Sequence, residues 1–258
     1  VRVAAGNFDG DPSDGLEFVT GAGPGGGPHV RIFSYDGATD QFVPFGGGFF
    51  AYDRGFGGGV YVGAADVDGD GTDEVLIGAG AGGGPHVTAW KVPAAPDQPM
   101  EVIRSFMAYD IRFTGGVTVA GGDFFPGGAG EACGDGEADE IVTGTGRGGG
   151  PHVKVWCANG RLARETMAGG GLGGAFVGAA DIDADTIDEV VAGEGLGPNL
   201  RIYETETMAE VAFVHGYEAG FTGGVMASGH DIDGDGDDEL IITPERARQV
   251  LLTIRRVL

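Results

Sequence analysis

Five copies of one short β-like phrase begin at Val1, Val60, Val117, Ala175 and Val225, at intervals of 59, 57, 58 and 50 residues, and together they fill the 258-residue chain. A repeat of this length is one supersecondary unit that buries its apolar face only by stacking on its neighbours. Three of the four boundaries carry an aromatic followed by glycines, at Phe56-Gly57-Gly58-Gly59, Phe113-Thr114-Gly115-Gly116 and Phe221-Thr222-Gly223-Gly224; the fourth keeps Leu172-Gly173-Gly174. Each unit then reads as alternating small and apolar residues, an acidic loop, a second apolar run, a Gly-rich loop, and a third run. Phe33, Trp90, Trp156 and Tyr203 occupy one register of that third run. Units 1 to 3 continue into a fourth run, and unit 4 has Glu210-Val211-Ala212-Phe213-Val214, whereas unit 5 stops after its third.

Gly and Pro number 55 and 12, about a quarter of the chain, a share that signals low complexity when it has no period. Here the glycines are periodic. Glycine costs about 1 kcal/mol in a helix interior, and no window lacks it long enough to sustain a 3.6-residue apolar period, so helices and helical solenoids are excluded. Four short antiparallel strands per unit with turn residues between them predict a propeller blade. The expected fold is all-β: a five-bladed β-propeller of four-stranded antiparallel blades, the last lacking its fourth strand within this chain. It forms a single domain over 1–258, with blades at approximately 1–59, 60–116, 117–174, 175–224 and 225–258.

With 15 Lys+Arg against 39 Asp+Glu, the net charge is −24, and Lys91 and Lys154 are the two lysines. Such a chain has no electrostatic basis for holding nucleic acid or anionic lipid. No stretch approaches the roughly 18 apolar residues of a transmembrane segment. Val1 opens directly on the repeat, which reads as a soluble mature fragment or excised domain. Two cysteines, Cys133 and Cys157, are too few for a disulfide scaffold and lack metal-ligand spacing.

The acidic loops carry the chemistry. Unit 2 reads Asp66-Val67-Asp68-Gly69-Asp70-Gly71-Thr72-Asp73-Glu74. Carboxylates at positions 1, 3 and 5, a turn glycine at 6, the carbonyl of Thr72 at 7 and Glu74 at 9 supply the six or seven oxygens that suit Ca²⁺ rather than Mg²⁺. Unit 5 repeats this with Asp231, Asp233, Asp235, Gly236, Asp237 and Glu239. Unit 4 keeps Asp181, Asp183, Asp185, Ile187 and Glu189, with Thr186 in place of the glycine. An EF-hand is excluded because position 12 from Asp66 is Ile77. Like charges packed this densely repel unless a cation joins them. Position 8 is Asp73, Asp188 or Asp238, so the ligand at this end of each loop is either that Asp or the Glu beside it. Unit 1 offers Asn7, Asp9, Asp11 and Ser13, with Asp14 or Glu17 closing the loop. Unit 3 has Asp123, then a nine-residue insertion, then Asp135, Glu137, Asp139 and Glu140. Three to five Ca²⁺ are expected, most securely in units 2, 4 and 5.

These loops, together with Phe56-Gly57, the Phe113 and Phe221 elements, and Gly21-Ala22-Gly23 and Gly78-Ala79-Gly80, resemble the FG-GAP repeats of integrin alpha chains and bacterial surface proteins. The resemblance covers essentially the whole chain. It implies a propeller whose acidic loop joins strands 1 and 2 of a blade and holds Ca²⁺.

The Gly-rich loops match G-x-G-x-x-G three times, from Gly21, Gly78 and Gly144, but each leads through Pro-His-Val into a strand rather than a helix, which excludes a dinucleotide site. His29, His86 and His152 end these loops, and Asn199 and Gln249 hold the matching places. They read as caps bonded to their own loop backbone, with a ligand surface as the alternative. Of Ser13, Ser34, Ser105 and Ser228, none lies in G-x-S-x-G.

No catalytic residues emerge. The leading function is a non-catalytic calcium-binding propeller that is extracellular, at the cell surface or periplasmic and acts in adhesion or protein interaction. A lectin-like propeller using Tyr52, Tyr109 and Tyr217 is the alternative, as is an accessory domain of a polysaccharide-active enzyme. A Cys133–Cys157 disulfide would pin the unit 3 insertion to its own blade. The apolar run Val250–Leu258 is expected to be an outer edge, covered by upstream residues or by a partner's strand. Arg246, Arg248, Arg255 and Arg256 beside it favour an acidic partner or protect the edge.

Overall fold

The computed structural model describes residues 1–11, 15–93, 98–125, 133, 138–246 and 252–257. Within them the protein is all-β and of the β-propeller class, with five antiparallel sheets as blades. Blade 1 is β1 (Arg2–Gly6), β2 (Glu17–Gly21), β3 (His29–Asp36) and β4 (Gln41–Phe50). Blade 2 is β5 (Val60–Ala65), β6 (Glu74–Ala79), β7 (His86–Lys91) and β8 (Glu101–Met107). Blade 3 is β9 (Val117–Gly122), β10 (Glu140–Thr145), β11 (His152–Trp156) and β12 (Leu162–Met167). Blade 4 is β13 (Ala175–Ala180), β14 (Glu189–Glu194), β15 (Asn199–Tyr203) and β16 (Glu210–His215). Blade 5 has three strands, β17 (Val225–His230), β18 (Glu239–Pro244) and β19 (Thr253–Arg255), with β19 at the edge. No helix among the described residues is long and apolar enough to cross a membrane.

The chain divides into two compact units, Val1–Val119 and Ala120–Leu258, and the boundary falls inside β9. In the first, Val19, Val30 and Ile32 of blade 1 pack with Val60, Val75 and Ile77 of blade 2. In the second, Val142, Val153 and Val155 of blade 3 meet Val190 and Ala192 of blade 4, and a separate cluster joins Leu200 and Ile202 to Leu240 and Ile242 of blade 5. Apolar burial therefore lies between successive blades as well as within them. This explains why the second strand of each blade reads as an almost unbroken apolar run: β6 and β10 are buried at every position, because both of their faces are covered. The fourth strands, with one face outward, alternate between half-buried and exposed.

The glycines at the unit boundaries have two uses. Gly59, Gly116, Gly174 and Gly224 turn the chain into the first strand of the next blade with φ of +72°, +85°, +73° and +84°, a region L-residues rarely adopt. Gly78 and Gly193, at one register of β6 and β14, face the next blade so closely that a Cβ there would strike the carbonyl oxygen of Val117 and Val225 respectively.

Cys133 and Cys157 are bridged, with Cα atoms 5.2 Å apart. The insertion is thus tied to the end of the third strand of its own blade, as the sequence predicts, and the closed loop has the 24-residue separation for which chain entropy gives roughly 3 kcal/mol. Blades 2, 3 and 4 share one irregularity: the fourth strand carries an extra residue opposite the aromatic of the third, at Trp90, Trp156 and Tyr203. Bulges of this kind re-aim the chain beside them.

Gly193→Ala is expected to lose about 1–3 kcal/mol through overpacking against Val225, read as a lowered thermal midpoint. An unchanged midpoint would show that the blades are not in the close contact described.

Candidate metal centres

Each acidic loop leaves the first strand of its blade and ends on the first residue of the second, which is always glutamate. Glu17, Glu74, Glu140, Glu189 and Glu239 are all buried, the most exposed at 7%. In every blade the Oε2 of this Glu accepts the backbone N–H of the second loop residue: Phe8 at 2.9 Å, Val67 at 3.0 Å, Phe124 at 3.1 Å, Ile182 at 3.0 Å and Ile232 at 3.1 Å. The carboxylate thereby clamps the loop into a ring. Glu74 Oε1 is buried and makes no hydrogen bond.

The first loop residue folds the backbone around itself. Asp66 accepts N–H groups from Gly69, Asp70 and Gly71 at 2.7, 3.1 and 2.7 Å. Asp231 does the same for Gly234 and Gly236, and Asp181 for Asp185 and Thr186. The tight turn needs positive φ at positions 4 and 6. Glycines supply it in loops 2 and 5, whereas in loop 4 Ala184 and Thr186 adopt φ of +61° and +72°. Loop 4 keeps the same shape despite the missing glycine and carries strain at a β-branched residue.

Three loops bring carboxylates together. Ligand oxygens lie within 4.8 Å of one another in Asp66/Asp68/Asp70, in Asp181/Asp183/Glu189, and in two sets sharing one residue, Asp231/Asp233/Glu239 and Asp235/Asp237/Glu239. At position 7 the N–H of Thr72, Ile187 and Asp237 returns to the carboxylate at position 5. Loops 1 and 3 assemble no such trio among the described residues. In loop 1, Asn7 caps Gly10 and Asp9 caps Asp11, while Ser13 and Asp14 lie outside the described residues. In loop 3, Asp123 is described, and Asp135 and Glu137 are outside.

Position 8 has a different use from position 9. Asp73 Oδ2 accepts the N–H of Asn7 at 2.7 Å, Asp188 that of Asp123 at 3.0 Å, and Asp238 that of Asp181 at 3.1 Å. Each pair is closed by a return bond from the Asp N–H to the partner's carbonyl. The aspartate is thus a latch onto the loop of the preceding blade, and the glutamate is the residue that faces its own loop. Adjacent residues of a strand point to opposite sides, so one cannot do both.

Two basic side chains enter the loops, which the repeat alone does not reveal. Lys91 Nζ lies 2.5 Å from Asp68, 2.6 Å from Asp70 and 3.9 Å from Glu74 Oε1. Arg256 pairs with Asp235, with Asp237 at 2.8 Å and with Asp233 at 3.8 Å. Arg256 is therefore engaged within its own blade, and Arg246 is paired with Glu245; neither is held out for an acidic partner. The bond from Lys91 holds Asp70 down to about 2. Burial, with the charge of Asp68 adding to it, pushes Glu74 up to about 8. Burial likewise pushes Glu189 and Asp188 up to about 7, and raises Asp183 with help from Asp185 and Asp181.

The residues considered for ligand binding elsewhere are engaged. Tyr52 donates to the carbonyl oxygens of His86 and Ile77 at 3.0 and 3.3 Å, and Tyr217 to that of Ile242 at 3.3 Å. These phenols join successive blades instead of offering stacking faces; Tyr109 packs edge-on against Phe113. The histidines reach the fourth strand of their own blades. His86 bonds Ser105 and His152 bonds Glu165, both at 2.9 Å, and His29 packs on Phe50.

No protein-family model matches the chain, and no curated protein sequence matches it. Solved structures do. Sqt1 of Saccharomyces cerevisiae is 10% identical over 92% of this chain, with a TM-score of 0.50, and the Dos1 propeller is 9% identical over 88%, with a TM-score of 0.51. The chain spans 58% and 50% of their lengths. These likenesses show the fold, a β-propeller, and nothing finer.

Without metal, the folded state keeps protons on Glu74, Glu189 and Asp188 that the unfolded chain releases above about pH 4.5. Its stability is therefore expected to fall as pH rises from about 5 toward 8. Asp70, held low, acts in the opposite sense and only below about pH 4. Thermal midpoints in EDTA across this range check the sign; a midpoint that rises between pH 5 and 8 would contradict it.

Proposed function

We propose that the chain is a calcium-stabilised propeller of the FG-GAP type that works outside the cytoplasm, at a cell surface, in the periplasm or in the extracellular space, as a non-catalytic protein-interaction module. The observation that carries the calcium reading is the convergence of three carboxylates within 4.8 Å in loops 2, 4 and 5, on a backbone ring organised by the first Asp and the buried Glu. The donors are all oxygen, which selects a hard cation, and a flexible ring with several carboxylates favours Ca²⁺ over the smaller octahedral Mg²⁺. Glu74 Oε1, buried without a hydrogen bond, is the kind of atom a cation in the loop would satisfy. Asp181, Asp183 and Glu189 would hold the ion in blade 4, Asp66, Asp68 and Asp70 in blade 2, and Asp231, Asp233 and Glu239 in blade 5. Extracellular calcium, at millimolar levels, suits sites of this kind.

The interaction reading rests on the outer strands, where Phe42, Met107, Met167 and Val211 are exposed, and on β19, which pairs with β18 alone among the described residues. Of the run expected to form that edge, Val250, Leu251 and Leu258 lie outside the described residues. The tyrosines that would favour a sugar-binding reading are committed to inter-blade bonds at Tyr52 and Tyr217.

Calcium that binds only the folded state adds about 2.7 kcal/mol per site at a hundredfold excess over Kd, which for a chain of this size raises the thermal midpoint by roughly 5–10 °C. Melting in EDTA and in millimolar CaCl₂ tests this, and Asp183→Asn is expected to shrink the shift. A midpoint that does not respond to calcium or to EDTA would overturn the reading.

A further inference from the structure

The five blades answer one question in five ways at a single position. The residue of the third strand that pairs with the second residue of strand 2 is Phe33, Trp90, Trp156, Tyr203 or Arg255, opposite Phe18, Val75, Ile141, Val190 and Leu240. The next residue along is Ser34, Lys91, Cys157, Glu204 or Arg256. In blade 2 that residue puts an ammonium among Asp68, Asp70 and Glu74, and in blade 5 it puts a guanidinium among Asp233, Asp235 and Asp237. In blade 3 it is the cysteine that holds the loop 3 insertion by a disulfide. In blade 4 it is Glu204, which turns away and caps Glu206 and Thr207 of its own hairpin. No Lys or Arg contacts the loop 4 carboxylates among the described residues.

From this pattern, and resting on the calcium reading above, we propose that Lys91 and Arg256 are tethered counter-cations that compete with calcium for loops 2 and 5, so that loop 4 is the tight metal site of the chain. The geometry is direct. Lys91 Nζ makes its short contacts with carboxylates that a metal in loop 2 would need, and Glu74 Oε1, buried and lacking a hydrogen bond, faces that same point at 3.9 Å. A divalent ion and an ammonium cannot share three carboxylates without strong like-charge repulsion, so metal entry requires the lysine to swing out. A group tethered this closely acts at an effective concentration in the millimolar range or above, comparable with the calcium it opposes. Loops 2 and 5 thus stay partly neutralised when calcium is scarce and exchange one cation for another when it is plentiful. Blade 4, with no basic group in contact among the described residues, depends on the metal.

The test combines calorimetric calcium titration with melting in EDTA, on the intact chain, on Lys91→Met, on Lys91→Arg and on the double variant Lys91→Met/Arg256→Met. The expected titration of the unaltered chain has one tight site, lost in Asp183→Asn, and weaker sites in loops 2 and 5. Removing the tethered charge is expected to tighten a weak site by about tenfold per loop, the factor by which a millimolar tethered competitor opposes it. The same variants should melt lower in EDTA and gain more from calcium than the unaltered chain, and Lys91→Arg should behave like it. Equal or weaker calcium binding in the Met variants overturns the proposal, because the basic groups would then be assisting the loops or irrelevant to them. If no folded variant binds calcium, the calcium reading fails. The competition fails with it; where calcium does bind, a midpoint in EDTA unchanged by Lys91→Met overturns the counter-cation role, and a lowered one together with a tightened calcium site supports it.

Discussion

One buried glutamate per blade sets the terms for the rest of the molecule. Glu17, Glu74, Glu140, Glu189 and Glu239 each close a loop by accepting a backbone N–H, and each is a carboxyl group buried where charge is costly. At Glu74 and Glu189 the cost is met in one of two ways: a cation stands beside the carboxylate, or a proton stays on. The raised values of Glu74 and Glu189 express the second option, and the carboxylates gathered beside them provide for the first.

The same loops also hold blades together. The latch made by Asp73, Asp188 and Asp238 ties the first residue of one loop to the end of the next, so that ordering one loop orders part of its neighbour. Asp181 belongs to both systems: its side chain organises loop 4, and its N–H and carbonyl bond to Asp238 of blade 5. Neutralising loop 4 therefore steadies a junction as well as a turn. Tyr52 and Tyr217 add a second inter-blade bond at the other end of the strands, where their phenols meet backbone carbonyls of the following blade.

Most of the fold was legible in the sequence because it rests on local periodicity. The repeat placed the blades and the nine-residue insertion of unit 3 that Cys133 anchors, and the glycines before Val60, Val117, Ala175 and Val225 marked the turns. What could not be read was which side chain turns toward which loop. Asp73 and Glu74 are adjacent carboxylic residues, and the fold alone shows that the first latches the loop of the preceding blade while the second closes its own. Lys91 sits 17 residues from Glu74 in sequence and reaches the loop only because the third strand ends beside it. Aligning the four units that carry the aromatic shows a basic residue one place further on only at Lys91, and Arg256 reaches the equivalent place through the pairing of Arg255 with Leu240. The partners of His86, His152 and Tyr52 could not be read either, since they lie on a neighbouring strand or blade that composition does not identify.

The most direct measurement is a crystal structure of the protein grown in millimolar calcium, examined at loop 4. The account predicts an ion bound by oxygens of Asp181, Asp183 and Glu189 at about 2.3–2.6 Å, with Glu189 still accepting the N–H of Ile182. A well-ordered loop 4 holding only water among those three carboxylates at that calcium concentration would contradict it.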